Sequence, residues 1–356
     1  MGVDCKNCLI SDKVPGVVID ENQICNFCKE NSTTVAIEAS QRQAYEKDLE
    51  STLKEVKNRK GYHALVCLSG GKDSLYLLYK LKIEYGLNVL AFTTDVNLPE
   101  IAWKNIRTTV KKLHIDHEIY RPDPAFYNKL FAYLLKNQEE RGAVYTVSYV
   151  YAPLFEGDAI RLAIQKNIPL IFAGYSPGQP EKERMQYAFS KMLIEKTDWT
   201  PPALKKCGDF SEEELSRFYN PLNETIKDEF PRYLAPFHAW KYDQDEIMKR
   251  VYELGLVEKK SYASPILSNY PINWLLMYSD LKHFGYNPYL PEFAKLIREG
   301  KASRLYWKFA QPIVNFMIRN KVFLGKEVLK QQKILKLNDE DLKITCPRGA
   351  YDPIIL

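Results

Sequence analysis

The stretch Leu65–Leu81, "LVCLSGGKDSLYLLYKL", decides the fold. An apolar run breaks at Ser69-Gly70-Gly71-Lys72-Asp73-Ser74 and resumes with apolar residues at helical spacing, the pattern of a short buried strand that turns into a helix. Paired glycines let backbone N–H groups cup an oxyanion, Lys72 adds a point charge, and the helix presents its positive end. The reading is therefore a phosphate-binding loop. The common Gly-x-x-x-x-Gly-Lys-Ser/Thr form is excluded, because Val66 stands where its first glycine belongs and Asp73 where its hydroxyl belongs.

The flanks extend this unit. A strand is expected at Ala64 to Leu68, a helix from Asp73 to Glu84 ended by Gly86, a strand from Val89 to Thr94, a helix from about Pro99 to Leu113, and strands near Asp116 to Tyr120 and Pro169 to Ala173. This alternation predicts an α/β fold with a parallel sheet, whose ligands bind beyond the carboxyl ends of the strands. The loops at Ser69, Asp95 and Gly174 become the places to inspect, with Asp95 a candidate nucleotide or metal contact and Ser176 a candidate for completing the pocket. Asp95 and Ser176 read equally well as turn or cap residues.

At the amino end, "CKNCLISDKVPGVVIDENQICNFC" holds Cys5, Cys8, Cys25 and Cys28 as two Cys-x-x-Cys pairs with 16 residues between them. That spacing predicts a four-thiolate zinc ribbon, with Val17-Val18-Ile19 as a short hairpin strand. Four sulfur ligands leave no open position, so the zinc would be structural; a four-thiolate iron or iron–sulfur centre is the competing reading. The domain reading is a zinc ribbon over 1–32, an amphipathic connecting helix over 33–60 capped near Asn31-Ser32-Thr33, the ATP-binding domain over 61–200, and a helical, aromatic-rich substrate-side region over 201–356. Tyr45, Leu49, Leu53 and Val56 form the apolar side of the connecting helix. Helical stretches are expected in the last region near Gln244 to Leu254, Pro271 to Lys282, Pro291 to Arg298 and Ser303 to Met317.

The chain has 356 residues, 46% of them hydrophobic, and a formal net charge of +5. A charge this small does not itself imply a nucleic-acid partner. Its distribution is uneven: between Lys295 and Lys336 eleven Lys and Arg face only Glu299 and Glu327. That segment suits an anionic partner or a set of solvated helix faces. No basic leader opens the sequence, Lys6 breaks the myristoylation pattern, and no apolar run reaches spanning length, so a cytoplasmic address without membrane insertion is expected. His114 and His117 lack a third ligand nearby and read as surface or packing residues.

Ser-Gly-Gly-Lys-Asp-Ser resembles the motif of the PP-loop ATP pyrophosphatases. The resemblance implies that Ser69, Gly70, Gly71, Lys72, Asp73 and Ser74 hold the β,γ-pyrophosphate of ATP and that AMP and pyrophosphate are released. Lys72 and Asp73 are then the catalytic candidates, with Mg²⁺ beside the phosphates. The ribbon followed by a helix and this loop, together with "AIQKNIPLIFAGYSP" and "YNPYLPEFAKLIREGKASR", is similar to the N-acetyl sugar amidotransferases of surface-polysaccharide and lipopolysaccharide biosynthesis. That likeness implies conversion of a sugar acetamido group to an acetamidino group. Nothing in the chain looks like a glutaminase, so ammonia would come free or from a separate glutaminase subunit. The alternative chemistry is sulfur transfer to a tRNA or small molecule, with Cys67, Cys207 and Cys346 as possible iron–sulfur ligands. A scaffold that binds nucleotide without turnover is the non-enzymatic alternative, against which the intact Lys72 and Asp73 argue.

Overall fold

A computed structural model describes residues 2–177, 185–224, 229–268, 270–352 and 354–356, with the side chains of 31–38 outside the description. Its central sheet has five parallel strands: β1 Ala64–Cys67, β2 Val89–Thr94, β3 Asp116–Tyr120, β4 Leu170–Phe172 and β5 Arg232–Leu234. They lie in the order β3-β2-β1-β4-β5. The chain builds outward from β1 to β3, returns to place β4 on the other side of β1, and continues to β5. The gap between β1 and β4 is the switch point at which α/β sheets of this kind bind ligands. β1 pairs Val66 with Ala91 on one side and with Phe172 on the other. Strands buried on both faces need continuous apolar runs, which Ala64–Val66 and Val89–Phe92 supply.

Five further elements position the site. The amino-terminal helix α1 (Asn31–Val56) buries Leu49 and Leu53 against the sheet core, each contributing about 1.5–3 kcal/mol. Its Tyr45 stacks on Tyr187 with ring centres 4.7 Å apart. α2 (Lys72–Tyr79) follows the glycine pair and ends in a looser turn over Lys80–Glu84, and α3 (Glu100–Leu113) packs beside it. α4 (Pro124–Lys136) and α5 (Ala143–Gln165) form the long helical stretch between β3 and β4. The fifth strand lies beyond Pro201, past the point where the sequence alternation fades. It is only three residues long and comes between Pro231 and Pro236, too short to show a period.

The later helices are α6 (Gln244–Glu253), α7 (Pro271–Phe284), α8 (Leu290–Arg298), α9 (Arg304–Asn320) and α10 (Lys326–Leu335). α7 is buried among α5, α9 and α10, and Asp280 on it accepts hydrogen bonds from the backbone N–H of Ala143 and Val144 at the start of α5. A second apolar core forms around it, separate from the core that backs the sheet.

Two local expectations are corrected. α1 begins at Asn31 after Glu30, so Asn31-Ser32-Thr33 lie inside its first turn and do not precede it. Val17-Val18-Ile19 forms no strand: among the described residues it makes a single bridge, Ile19 to Cys25, while the Lys6 amide to the Gln23 carbonyl (2.9 Å) ties the two cysteine pairs together. Turn hydrogen bonds such as Ile24 N–H to Asp20 Oδ1 (2.8 Å) take the place of a ladder in so short a module.

Candidate active site at the sheet switch point

The loop after β1 is fixed by what surrounds it. Gly70 has φ +78°, and a Cβ there would lie 2.5 Å from the carbonyl oxygen of Ala102 on α3, so only glycine fits. Asn105, fully buried on α3, donates through Nδ2 to the carbonyl oxygens of Gly70 and Tyr262, both at 3.0 Å. Gly71 stands at the N-cap position with extended backbone, and a side chain there would meet nothing closer than 3.6 Å. The amides at the start of α2 therefore open onto the switch point. Ser74 Oγ donates to the Gly71 carbonyl at 3.0 Å and lies 3.2 Å from Ser69 Oγ, bracing the loop from within. Gly174, after β4, approaches so closely that a Cβ would sit 2.9 Å from the Ser74 amide nitrogen.

Lys72 is 4% exposed, which is unusual for a lysine and requires a partner. Its Nζ lies 2.5 Å from Asp73 Oδ2 and 3.1 Å from the hydroxyl of Tyr242. Tyr242 in turn donates to Asp73 Oδ1 at 3.2 Å. Burial pushes the Tyr242 phenol well above its ordinary range, so it stays a neutral donor between the two charges.

Two clefts meet at this loop, and Asp73 lines both. The first, an open-mouthed cleft, runs over the carboxyl ends of the strands between Ser69, Gly71, Thr94, Gly174, Tyr175 and Tyr270. Thr94 Oγ1, buried there, has no hydrogen-bond partner. The second lies between the loop and the later helices: Lys72, Ser176, Gln244, Asn273, Glu292 and Trp307 are among its walls. Two polar atoms buried in its walls have no partner, the indole Nε1 of Trp307 and Oε1 of Gln244. Phe293 stacks on the Trp307 ring at a centroid distance of 3.5 Å.

Ser69, Gly71, Asp73, Ser74 and Gly174 thus gather at the first cleft, while Lys72 and Ser176 face the second. Ser176 Oγ donates to Glu292 Oε1 at 2.8 Å. Burial drives the Glu292 carboxyl up to about 7, against the hydrogen bond from Ser176 and the charge of Lys72. Asp95 lines neither cleft: it accepts from the Leu98 amide and pairs with Arg121 Nε at 3.0 Å, while Thr94 before it faces the first cleft. Tyr242, Gln244 and Trp307 carry no motif in the sequence, the sole hint being the aromatic richness of their region; Asn105 lies outside it on α3, and Glu292 sits unremarked within "YNPYLPEFAKLIREGKASR".

The four ribbon sulfurs lie within 4.8 Å of one another, with Cys5 to Cys28 at 3.8 Å and Cys8 to Cys25 at 3.6 Å. A tetrahedral ion with metal–sulfur bonds of about 2.3 Å sets its sulfurs about 3.8 Å apart, so the arrangement fits one ion. Burial raises the Cys5 thiol, but backbone amides of Cys8, Cys25 and Asn7 outweigh it and bring the group down to about 7. Arg298 of α8 donates to Cys8 Sγ at 3.4 Å. The ribbon's apolar side, Ile10, Val14 and Val17, packs on Leu290 and Ala294 of α8.

Cys67, Cys207 and Cys346 do not form a ligand set, which removes the possible cluster named under the sulfur-transfer alternative. Among the described residues the only cysteine group close enough to hold a metal is the ribbon's. Cys67 lies in β1 beside the Tyr233 hydroxyl at 3.4 Å, whereas Cys207 and Cys346 pack in the second core near Tyr133 and Tyr351. His117 is half-buried with Nε2 2.8 Å from Thr93 Oγ1, and burial lowers it to about 4.

No family model matches the chain, and no curated protein does. Among solved structures, it is similar to the U34-tRNA thiolase NcsA from Methanococcus maripaludis with its 4Fe-4S cluster, at 13% identity and a TM-score of 0.35 over 97% of this chain and 91% of that one. It is also similar to NMN synthetase from Francisella tularensis, at 11% identity and a TM-score of 0.35 over 86% and 97% of the two chains. A third likeness is to the NH3-dependent NAD synthetase from Campylobacter jejuni, at 14% identity and a TM-score of 0.33 over 83% and 97%.

Proposed function

We propose that the protein is a PP-loop ATP pyrophosphatase that adenylates a carbonyl or amide oxygen of its acceptor and then replaces that oxygen with nitrogen. The observation that carries this reading is the meeting of two clefts at one loop, with Asp73 in the wall of both. Here the loop stands between one cleft over the strand ends and a second among the later helices, so that two ligands can meet across it. ATP fits the first, with its pyrophosphate on the amides of Gly70, Gly71 and the α2 N-terminus. Its α-phosphate then faces Lys72 and the second cleft.

The chemistry balances in two steps. The acceptor oxygen forms a bond to the α-phosphorus as the α–β bridging bond breaks and pyrophosphate leaves. Ammonia then bonds to the activated carbon, and AMP departs with the oxygen. Lys72 stabilises the charge that develops on the α-phosphate, and Tyr242 and Asp73 hold its ammonium in place. Mg²⁺, held by the triphosphate and the Asp73 carboxylate, would add Lewis-acid polarisation.

The acceptor class that fits best is an N-acetyl sugar. Stacked aromatic faces at Phe293 and Trp307 beside the amides of Asn273, Gln244 and Gln311 are the chemistry that takes a ring bearing hydroxyl and acetamido groups. Ammonia would come from a separate glutaminase subunit. The single-ion geometry of the ribbon supports a structural Zn²⁺. Sulfur transfer loses the ligand set offered for it, because among the described residues Cys67, Cys207 and Cys346 do not come together.

The test is release of AMP and pyrophosphate from ATP with nucleotide-linked N-acetyl sugars and ammonium. Acceptor-dependent release of both in equal amounts, with an amidine in the product, is expected. Release of phosphate and ADP would sink the reading, as would a sulfur-containing product.

A further inference from the structure

The basic segment singled out in the sequence carries more than charge. On α9, Leu305, Phe309, Ile313 and Phe316 recur every three to four residues and share one face, opposite the buried Trp307, Val314 and Ile318. That face is bare: Phe309 is 62% and Phe316 59% exposed. The ridge continues into the turn that joins α9 to α10, where Phe323 is 76% and Leu324 41% exposed. Soluble surfaces scatter exposed apolar residues singly and do not line them up.

Cations flank the ridge. Lys308 and Arg319 border it on α9, and Lys326, Lys330 and Lys333 share the outer face of α10 with the half-exposed Leu329. From 303 to 336 no Asp or Glu is exposed: Glu327, the one acid, is half-buried, accepts from Gln331 and lies 3.4 Å from Lys330. Both helices bury their opposite faces in the core around α7, so the ridge stands on a rigid base.

We propose that this α9–turn–α10 face docks the protein on an anionic phospholipid surface, with Phe309, Phe316 and Phe323 entering the acyl boundary and the lysines meeting headgroup phosphates. An apolar ridge bordered by cations matches a surface that is negative outside and hydrocarbon just beneath. A polynucleotide matches it less well, because cations would have to face phosphates along a line that phenyl and aliphatic carbons occupy. No helix among the described residues is long and apolar enough to cross a membrane, so the chain lies on the bilayer and does not span it. The expectation of no membrane insertion rested on a leader, a lipidation pattern and spanning runs, and a surface-lying face requires none of them.

The test is co-sedimentation of the purified full chain with vesicles of phosphatidylcholine alone and of phosphatidylcholine with phosphatidylglycerol. The wild type should pellet with the anionic vesicles and remain free of the neutral ones, and added salt should release it. The combined change Phe309→Ser, Phe316→Ser, Phe323→Ser should weaken binding about tenfold or more, because each phenyl removed forfeits acyl contact. Circular dichroism and thermal melting of this variant should match the wild type, since all three side chains are exposed. Lys308→Glu with Lys330→Glu should abolish the preference for anionic lipid. Failure to pellet at low salt overturns the proposal, and so does pelleting that the serine changes leave untouched. Binding to RNA, or self-association, that the serine changes abolish while lipid binding is absent also overturns it, and assigns the face to that partner.

Discussion

The two clefts beside Lys72 are built from different materials. The one over the sheet is walled by the carboxyl ends of β1, β2 and β4, the start of α2 and two glycines, Gly71 and Gly174, that leave backbone bare to the cleft. The one beneath the helices is made of side chains delivered from α6, α7, α8 and α9, with buried polar atoms left to be met by what binds. Backbone walls suit a ligand recognised by its phosphates. Side-chain walls suit one told apart from its relatives by ring and amide groups. Changes on the two sides should therefore have separable effects.

The largest expected effect removes the cation that faces the second cleft, next to the shared Asp73. Lys72→Ala should lower kcat for pyrophosphate release by about a thousandfold, with a smaller loss in ATP affinity, because a preorganised charge at the α-phosphate is gone. Equal kcat in variant and wild type would show that the two clefts do not meet in function. Next in size is removal of the ribbon metal. Cys8→Ser, or a strong chelator, should raise the acceptor KM about tenfold or more while the ATP Kd stays put, because α8 loses the module packed on its outer face. Elemental analysis of the same samples should show about one zinc per chain falling to none. A parallel loss of ATP binding would mean that the ribbon supports the whole fold and not one cleft.

Trp307→Phe keeps the ring but removes its donor. It should raise the acceptor KM about tenfold, the worth of one buried hydrogen bond, without moving ATP binding. A change in ATP affinity instead would undo the division of labour.

The smallest effect is on pH. The carboxyl of Glu292 has its folded value raised to about 7, above the unfolded value near 4.5. Its neutral form suits the fold, so the stability tied to it is present at low pH and lost as pH rises from about 4.5 through 7. Glu292→Gln, which keeps the neutral shape, should melt at the same temperature as wild type at pH 5 and a few degrees higher at pH 8. Identical melting curves at both values would show that the carboxyl is not desolvated.

The sheet and its loop were legible in the sequence because each signal is local. The break at Ser69-Gly70-Gly71 marks a strand-to-helix turn without help from elsewhere, and Val89–Thr94 and Asp116–Tyr120 form strands at the expected limits. The ribbon cysteines were legible for the same reason, since ligand spacing is written in the chain. The second cleft was not, because Lys72, Gln244, Glu292 and Trp307 meet only through the packing of helices on α7, and no period in any one segment encodes that meeting. Trp307 reads as one more aromatic on an amphipathic helix until α8 places Phe293 against it. The three scattered cysteines carried no spacing to read, and the fold leaves Cys67 in β1 while Cys207 and Cys346 pack in the second core.

The ribbon's seat on α8 also has a consequence for synthesis. Ile10, Val14 and Val17 leave the ribosome well before Leu290 and Ala294, their apolar partners in the fold. They wait uncovered until α8 is made, and the Arg298 contact to Cys8 forms only then. The ribbon closes like a clasp on the helix that carries Glu292 into the second cleft.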